Sequence, residues 1–293
     1  MRRVYITMIL TAVFLGLFFF LRAVFSGHLI VDPVLIRIGN FGIRWYAVLI
    51  ASGIILAYLL SREEMKREGV NEDHVVEALF YGVITGVVFA RAYYVLFNLD
   101  YYLKNPKEIF MTWKGGMAIH GGIFGAFLVL YLYTKFKKNV SFTFLQGLDI
   151  LFTYFPLGQA IGRWGNFFNY EAFGKPTDLP WKMFVPLNRR PIGYEKFSYF
   201  HPTFLYESLW DLMTFAILYT YIKRFRKNFG EVFALYLIIY SIGRYFIEGL
   251  RLDSLYLGNL RVAQLVSVVF IVFGILLFTY VRKKGRRAVF EAS

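Results

Sequence analysis

The sequence predicts an all-α polytopic membrane protein: a bundle of about eight transmembrane helices with a small extracytoplasmic cap. Three observations carry that expectation. The 293 residues are 58% hydrophobic and 20% aromatic, with a mean hydropathy of +0.51, well beyond an ordinary soluble domain. The apolar runs are long and unbroken, as helices require, whereas a membrane barrel is built from short alternating segments. Eight such runs approach the ~20 residues that cross a ~30 Å hydrocarbon core.

The first run, 4–25, follows Met1-Arg2-Arg3 and reads as a transmembrane signal anchor occupying 1–25. Small residues at 23–27 suit a cleavage site, but the length of the run favours retention. The other runs lie near 43–60, 75–97, 115–135, 147–165, 203–222, 231–250 and 260–281, so that 26–293 forms one transmembrane domain. Its longest connection, 166–202, holds Pro176, Pro180, Pro186, Pro191 and Gly193 without a helical period, and is the expected cap. Segment 98–114 adds a smaller amphipathic piece on the same face.

With a cytoplasmic N-terminus, 17 Lys and Arg fall in inside segments and 10 in outside ones, which places both termini in the cytoplasm. Topology therefore accounts for most of the +14 net charge, and no nucleic-acid partner is needed to explain it. The basic loops also attract anionic lipid, at about 1 kcal/mol per residue near the surface. With no cysteine, the chain has no disulfide, thiolate metal site or sulfur nucleophile of its own; any thiol chemistry uses a substrate thiol. The four histidines, His28, His74, His120 and His201, are isolated, so neither a metal nor another cofactor is expected.

Polar residues that interrupt apolar runs are the functional candidates, because intramembrane charge is costly and faces protein or a wet cavity. Arg44-Trp45-Tyr46 opens the second span, either as an interfacial anchor or with Tyr46 in a site. His120, among Gly115, Gly116, Gly121 and Gly122, is either a core histidine or a proton-transfer group. The glycines around it permit close approach of a neighbouring helix or of a substrate.

The stretch Gly162-Arg163-Trp164-Gly165-Asn166-Phe167-Phe168-Asn169-Tyr170-Glu171-Ala172-Phe173-Gly174 is the densest constellation. Arg163 can grip a phosphate through two hydrogen bonds, or pair with Glu171. Tyr240, Arg244 and Glu248 recur every fourth residue, stacking on one helix face, and Arg251 follows. His201-Pro202 opens the sixth span, with Glu207 about a turn and a half inside and in need of a partner. Arg91 and Tyr94 are further possible partners. Repeated charge rings of a channel and paired broken helices of a transporter are not evident.

At these motifs the chain resembles the bacterial prolipoprotein diacylglyceryl transferases. The stretch 162–174 matches the family signature Gly-Arg-x-Gly-Asn-Phe-x-Asn-x-Glu-x-x-Gly at every fixed position. Arg44-Trp45-Tyr46, His120-Gly121-Gly122, His201-Pro202 through Tyr206-Glu207 and the Tyr240/Arg244/Glu248 stripe carry the rest. The similarity spans roughly Asp32 to Arg282. Two departures stand out: residues 1–25 add a helix to the seven-helix family core, and Ala118-Ile119 replaces the Ser-Phe often found before the histidine.

The resemblance implies transfer of the diacylglyceryl group from phosphatidylglycerol to the lipobox cysteine in a prolipoprotein signal peptide, at the bacterial inner membrane. It places His120, Arg163 and Arg244 in or beside the site, and the chemistry makes them the expected catalytic groups, the two arginines holding the phosphate and His120 taking the thiol proton. Tyr46, Asn166, Asn169, Glu171, Gly174, Tyr240, Glu248, His201 and Glu207 are the expected substrate-binding set. Within it, Glu171 and Glu248 are expected to hold the arginines.

Overall fold

The computed structural model describes residues 2–39, 41–112 and 115–287. Lys114, one of the outer charges counted above, and the end of the expected domain, 288–293, lie outside the described residues. The helices in chain order are α1 (Arg2–Phe25), α2 (Trp45–Arg67), α3 (Glu72–Phe97), the short α4 (Leu99–Lys104), α5 (Ile119–Phe136), α6 (Phe144–Asn169), α7 (Thr203–Arg224), α8 (Glu231–Glu248) and α9 (Val262–Lys284). Every apolar run expected from the sequence coincides with one of the long helices.

An all-α description is too narrow. Three small antiparallel hairpins occupy connections where the helical period fails: β1 (Val34–Ile38) with β2 (Phe41–Arg44), β3 (Met183–Phe184) with β4 (Tyr199–Phe200), and β5 (Tyr256–Leu257) with β6 (Leu260–Arg261). Their registers pair Ile36 with Ile43 and Met183 with Phe200. One boundary also moves. Helix α6 runs to Asn169, so Asn166 and Asn169 lie on its last turn, and the connecting lobe begins at Tyr170, a left-handed residue (φ 51°) that stops the helix.

Among the described residues, α2, α3 and α9 are the helices long and apolar enough to cross a membrane by composition. Their outward faces are unpaired and apolar, with Ile54, Ile55, Phe80, Val83, Val269 and Phe273 more than half exposed. Helices α6, α7 and α8 bring Arg163, Glu207, Asp211, Arg244 and Glu248 together and pack against one another, flanked by α2 on α6 and α9 on α8, while α3 pairs with α5. This is the expected division of labour: helices facing lipid must be apolar, and helices facing protein can bear charge. The α3–α5 contact explains part of the glycine run, since a Cβ on Gly121 would lie 2.2 Å from the Phe89 carbonyl oxygen.

The two ends of the bundle differ. At the end where α6 and α8 start, Asp149 accepts hydrogen bonds from the Gly230 and Phe233 amides (2.8 and 3.0 Å), satisfying free N–H groups at the start of α8. Arg226, fully buried, pairs there with Asp149 at 3.4 Å and with Glu68 at 2.5 Å. The apolar core beside it joins Leu148, Phe152, Leu218, Ile222, Phe233 and Leu237.

At the opposite end the lobe 170–202 has its own core of Phe173, Met183, Val185 and Phe200 over Phe167 and Phe204. Helix α1 reaches this core with its last two turns: Val24 is fully buried there, Phe20 and Leu21 pack against it, and Phe25 meets the rings of Phe167 and Phe204. Further back along α1, Phe14 and Phe19 are 68% and 60% exposed, so the helix leans on the lobe instead of entering the bundle.

Candidate active site

The site forms where the lobe end of α6, the start of α7 and the end of α8 converge. Each helix brings charge to the same face. Arg163, on α6, lies with Nη1 2.9 Å from Glu207 Oε2 and Nε 3.7 Å from Asp211 Oδ2. Both acids belong to α7 and are four residues apart, hence on one face. From α8, Arg244 Nη1 donates to Glu207 Oε1, and Nη2 sits 2.7 Å from Glu248 Oε2. Arg251, just past α8, donates to the same Glu207 oxygen at 3.1 Å.

Glu207 is thus the common ion-pair partner of three arginines from two separate parts of the chain. Its side chain is 4% exposed, and those of Asp211 and Glu248 are 2% exposed. The side chains of Arg163 and Arg244 keep about a fifth of their surface, 20% and 21%. They are reachable from outside the cluster, whereas the acids are not.

Pairing here is by charge more than by directed hydrogen bonds. Arg163 Nε, Glu207 Oε2, Asp211 Oδ2 and Glu248 Oε2 are all buried and make no hydrogen bond among the described residues. Buried polar groups left in this state are uncommon, and mark places where a structure is arranged for something other than its own stability. Of these four atoms only Arg163 Nε is a donor and the other three are carboxylate oxygens, so an anion is met by the arginine side chains alone.

Neighbouring groups build the walls. Asp253 binds Arg251 through two hydrogen bonds of 2.9 and 2.6 Å. Burial acts to raise the Asp253 carboxyl, but Arg251 outweighs it and holds the group below the usual carboxylate range. Arg261 donates to the Glu248 and Arg251 carbonyls and to Ser254 Oγ, tying the α8–α9 connection beneath the cluster. Tyr240 stacks on Tyr236 at 5.4 Å, and Tyr236 donates to Gln159 of α6 at 3.0 Å.

The other expected site residues are distributed as follows. Asn166 and Asn169 donate to Glu171 Oε1 at 2.9 and 3.1 Å. Glu171 therefore orients the two asparagines and does not hold Arg163, a correction to the expected pairing. The cause is geometric, because α6 continues through Asn169 and carries Glu171 beyond the turn from which Arg163 projects toward α7. Tyr46 packs its ring on Gly165 of the signature, in space a Cβ would take, and is 38% exposed. Trp45 beside it stacks on Phe168 at 4.5 Å.

Gly174 is a crossing point. Its amide donates to the His201 carbonyl at 2.8 Å, it pairs with Arg251, and a Cβ would sit 2.9 Å from His201, Leu250 and Thr203 atoms alike. The glycine lets the lobe lie close on the mouth of the cluster. His201 Nδ1 is 3.1 Å from the Tyr206 hydroxyl, which also accepts from Trp181; burial lowers the His201 pKa.

His120 stands in the first turn of α5, exposed, with its ring 6.2 Å from that of Tyr93. No hydrogen bond or ion pair joins it to the arginine cluster among the described residues. Arg91 is not a partner of Glu207 either. It donates to the carbonyls of Glu108, Ile109, Gly115 and Gly116 and so folds the segment that leads into α5.

Reading the sequence missed Asp211, although the Glu207–Asp211 spacing of four on one apolar helix was the available signal. It also missed Asp253 and Arg261, whose parts depend on a loop conformation that no local pattern announces.

A family model described as prolipoprotein diacylglyceryl transferase matches residues 33–280. A phosphatidylglycerol–prolipoprotein diacylglyceryl transferase of Fervidobacterium nodosum is 51% identical over 280 residues, covering 95% of each chain. The protein of that name from Thermotoga petrophila is 53% identical over 272 residues, 93% of this chain and 92% of the relative. That from Staphylococcus haemolyticus is 44% identical over 264 residues, 89% and 92%. Because the Fervidobacterium alignment omits only about 5% of this chain, part of the segment 1–25 is shared with that relative.

Proposed function

Because the chain belongs to the prolipoprotein diacylglyceryl transferase family, we infer that it transfers the diacylglyceryl group of phosphatidylglycerol to prolipoproteins. In our reading the eight long helices cross the bacterial inner membrane, with both chain ends cytoplasmic and the lobe 170–202 an extracytoplasmic cap. The acceptor is the lipobox cysteine thiol that follows a prolipoprotein signal peptide, and the product is a thioether.

The observation that carries the site assignment is the convergence of Arg163 and Arg244 on Glu207, with both arginine side chains still partly exposed. In the reaction the cysteine sulfur attacks the glycerol carbon that bears the phosphate. A C–S bond forms, the C–O bond to phosphate breaks, and glycerol phosphate leaves with the bonding pair. Arg163 and Arg244 neutralise that leaving group in a water-poor cavity, where each oriented donor counts for more than in water. The buried acids Glu207 and Glu248 hold the two arginines apart and aimed.

The thiol, with an ordinary pKa of about 8.5, must lose its proton for attack. We assign that proton to His120, supported by its exposure at the start of α5 and by its place in the glycine-rich motif. Tyr46, Asn166 and Tyr240 orient the phosphate and glycerol hydroxyls, with Asn166 and Asn169 held by Glu171. The lipid enters sideways between helices.

The test uses detergent-solubilised full-length protein, phosphatidylglycerol and a lipobox peptide, with the peptide weighed by mass spectrometry. The peptide is expected to gain one diacylglyceryl group. Arg163→Ala and Arg244→Ala should each abolish the gain while the protein still inserts in membranes. Near-normal turnover in either variant defeats the phosphate clamp.

A further inference from the structure

Asp211 is a buried acid that the reaction described above does not use. It lies on α7 one turn deeper than Glu207, with its side chain 2% exposed. Its Oδ2 is buried without a hydrogen bond, and the atom facing it, Arg163 Nε, is buried without one too, 3.7 Å away. Closing that gap by about 0.7 Å would satisfy both groups, given an ordinary N–H···O distance near 3.0 Å. An isolated carboxylate at this depth is costly, so Asp211 persists beside Arg163 as a counter-charge.

The geometry of the fork gives this a direction. Glu207 lies nearest Nη1 of Arg163 and Asp211 nearest Nε, so the two acids approach the planar guanidinium at different nitrogens. Two acids on one rigid helix face thereby fix both the plane and the azimuth of the arginine. Glu207 is shared with Arg244 and Arg251, whereas Asp211 makes ion contact with Arg163 alone among the described residues.

We propose that Asp211 is a positioning residue for diacylglyceryl transfer: it acts through Arg163, presenting the guanidinium to the phosphate in the orientation that the departing phosphate needs. This rests on the function assigned above. It has an unusual kinetic consequence. As an anion beside Arg163, Asp211 opposes ground-state attraction of the lipid phosphate while enforcing the geometry of the transition state. Removing its charge should lower kcat without raising KM for phosphatidylglycerol.

The experiment measures kcat and KM for Asp211→Asn in the thioether assay, alongside thermal melting of the solubilised full-length protein. A fall in kcat of tenfold or more, with KM equal to or below the wild-type value, is the expected result. Asp211→Glu, which restores the carboxylate, should recover at least a third of wild-type kcat. If the Asn variant is not recovered folded, Asp211→Ser carries the same measurement.

An unchanged kcat overturns the proposal. So does a fall in kcat accompanied by a rise in KM, or a folded Asn variant whose loss Asp211→Glu does not repair, because either pattern makes Asp211 a packing or binding residue. The wild-type reaction separates the two levels of inference. If wild-type protein forms no thioether, the assigned function fails; if it does and Asp211 variants match it, only the positioning role fails.

Discussion

Replacing Glu207 by glutamine tests the centre of the cluster with almost no change in shape. The carboxylate has one oxygen receiving Arg244 and Arg251 and the other facing Arg163 Nη1 at 2.9 Å. An amide has one acceptor and one donor end. Its carbonyl oxygen can take the place that serves Arg244 and Arg251, preserving two hydrogen bonds, but the NH2 group then points at Arg163, donor against donor. Turned the other way, it faces two guanidinium groups.

The first orientation is therefore preferred, and Arg163 is the arginine released. Removing one partner of a buried ion pair costs about 3–5 kcal/mol, and the two preserved hydrogen bonds place this variant at the low end. Misplacing one transition-state donor costs roughly 10²–10³ in kcat. Thermal melting and thioether formation by purified Glu207→Gln should therefore both fall, with turnover down at least a hundredfold. A variant that melts like wild type and retains turnover within threefold would show that Glu207 does not organise the arginines.

Other expectations are narrower. His120→Gln should cost at least ~10²-fold in kcat if the imidazole is the base, and a smaller loss would assign His120 to binding. Arg226→Ala leaves Asp149 and Glu68 buried without their cation, so it should lower stability by about 3–5 kcal/mol while turnover per folded molecule stays within threefold. Asp253 supplies a pH test. Its folded pKa lies below the unfolded value of about 3.9, so pairing with Arg251 stabilises fully above that value and fades as pH falls through the folded pKa. The melting difference between wild type and Asp253→Asn should accordingly be present at pH 7 and shrink below about pH 4.

Much of this architecture was legible in the chain because it depends on local quantities. Whether twenty residues suit hydrocarbon is decided by their own side chains, and the long helices fall where the apolar runs do. The fourfold spacing of Tyr240, Arg244 and Glu248 likewise puts them on one face whatever surrounds the helix. The signature around Arg163 identified a family, and with it a reaction.

Partnership was not local. Glu171 stands eight residues from Arg163 and was the nearest acid in sequence, yet Arg163 pairs with Glu207 and Asp211, more than forty residues away on α7. Arg91, read as a possible partner for a carboxylate, is satisfied by four backbone carbonyls of the segment it folds. Hydrophobic length is a sum over one segment, so sequence determines it. A guanidinium reaches only a few ångströms, and which acid lies within that reach is set by the rotation and depth of helices packed together, which the tertiary structure alone decides.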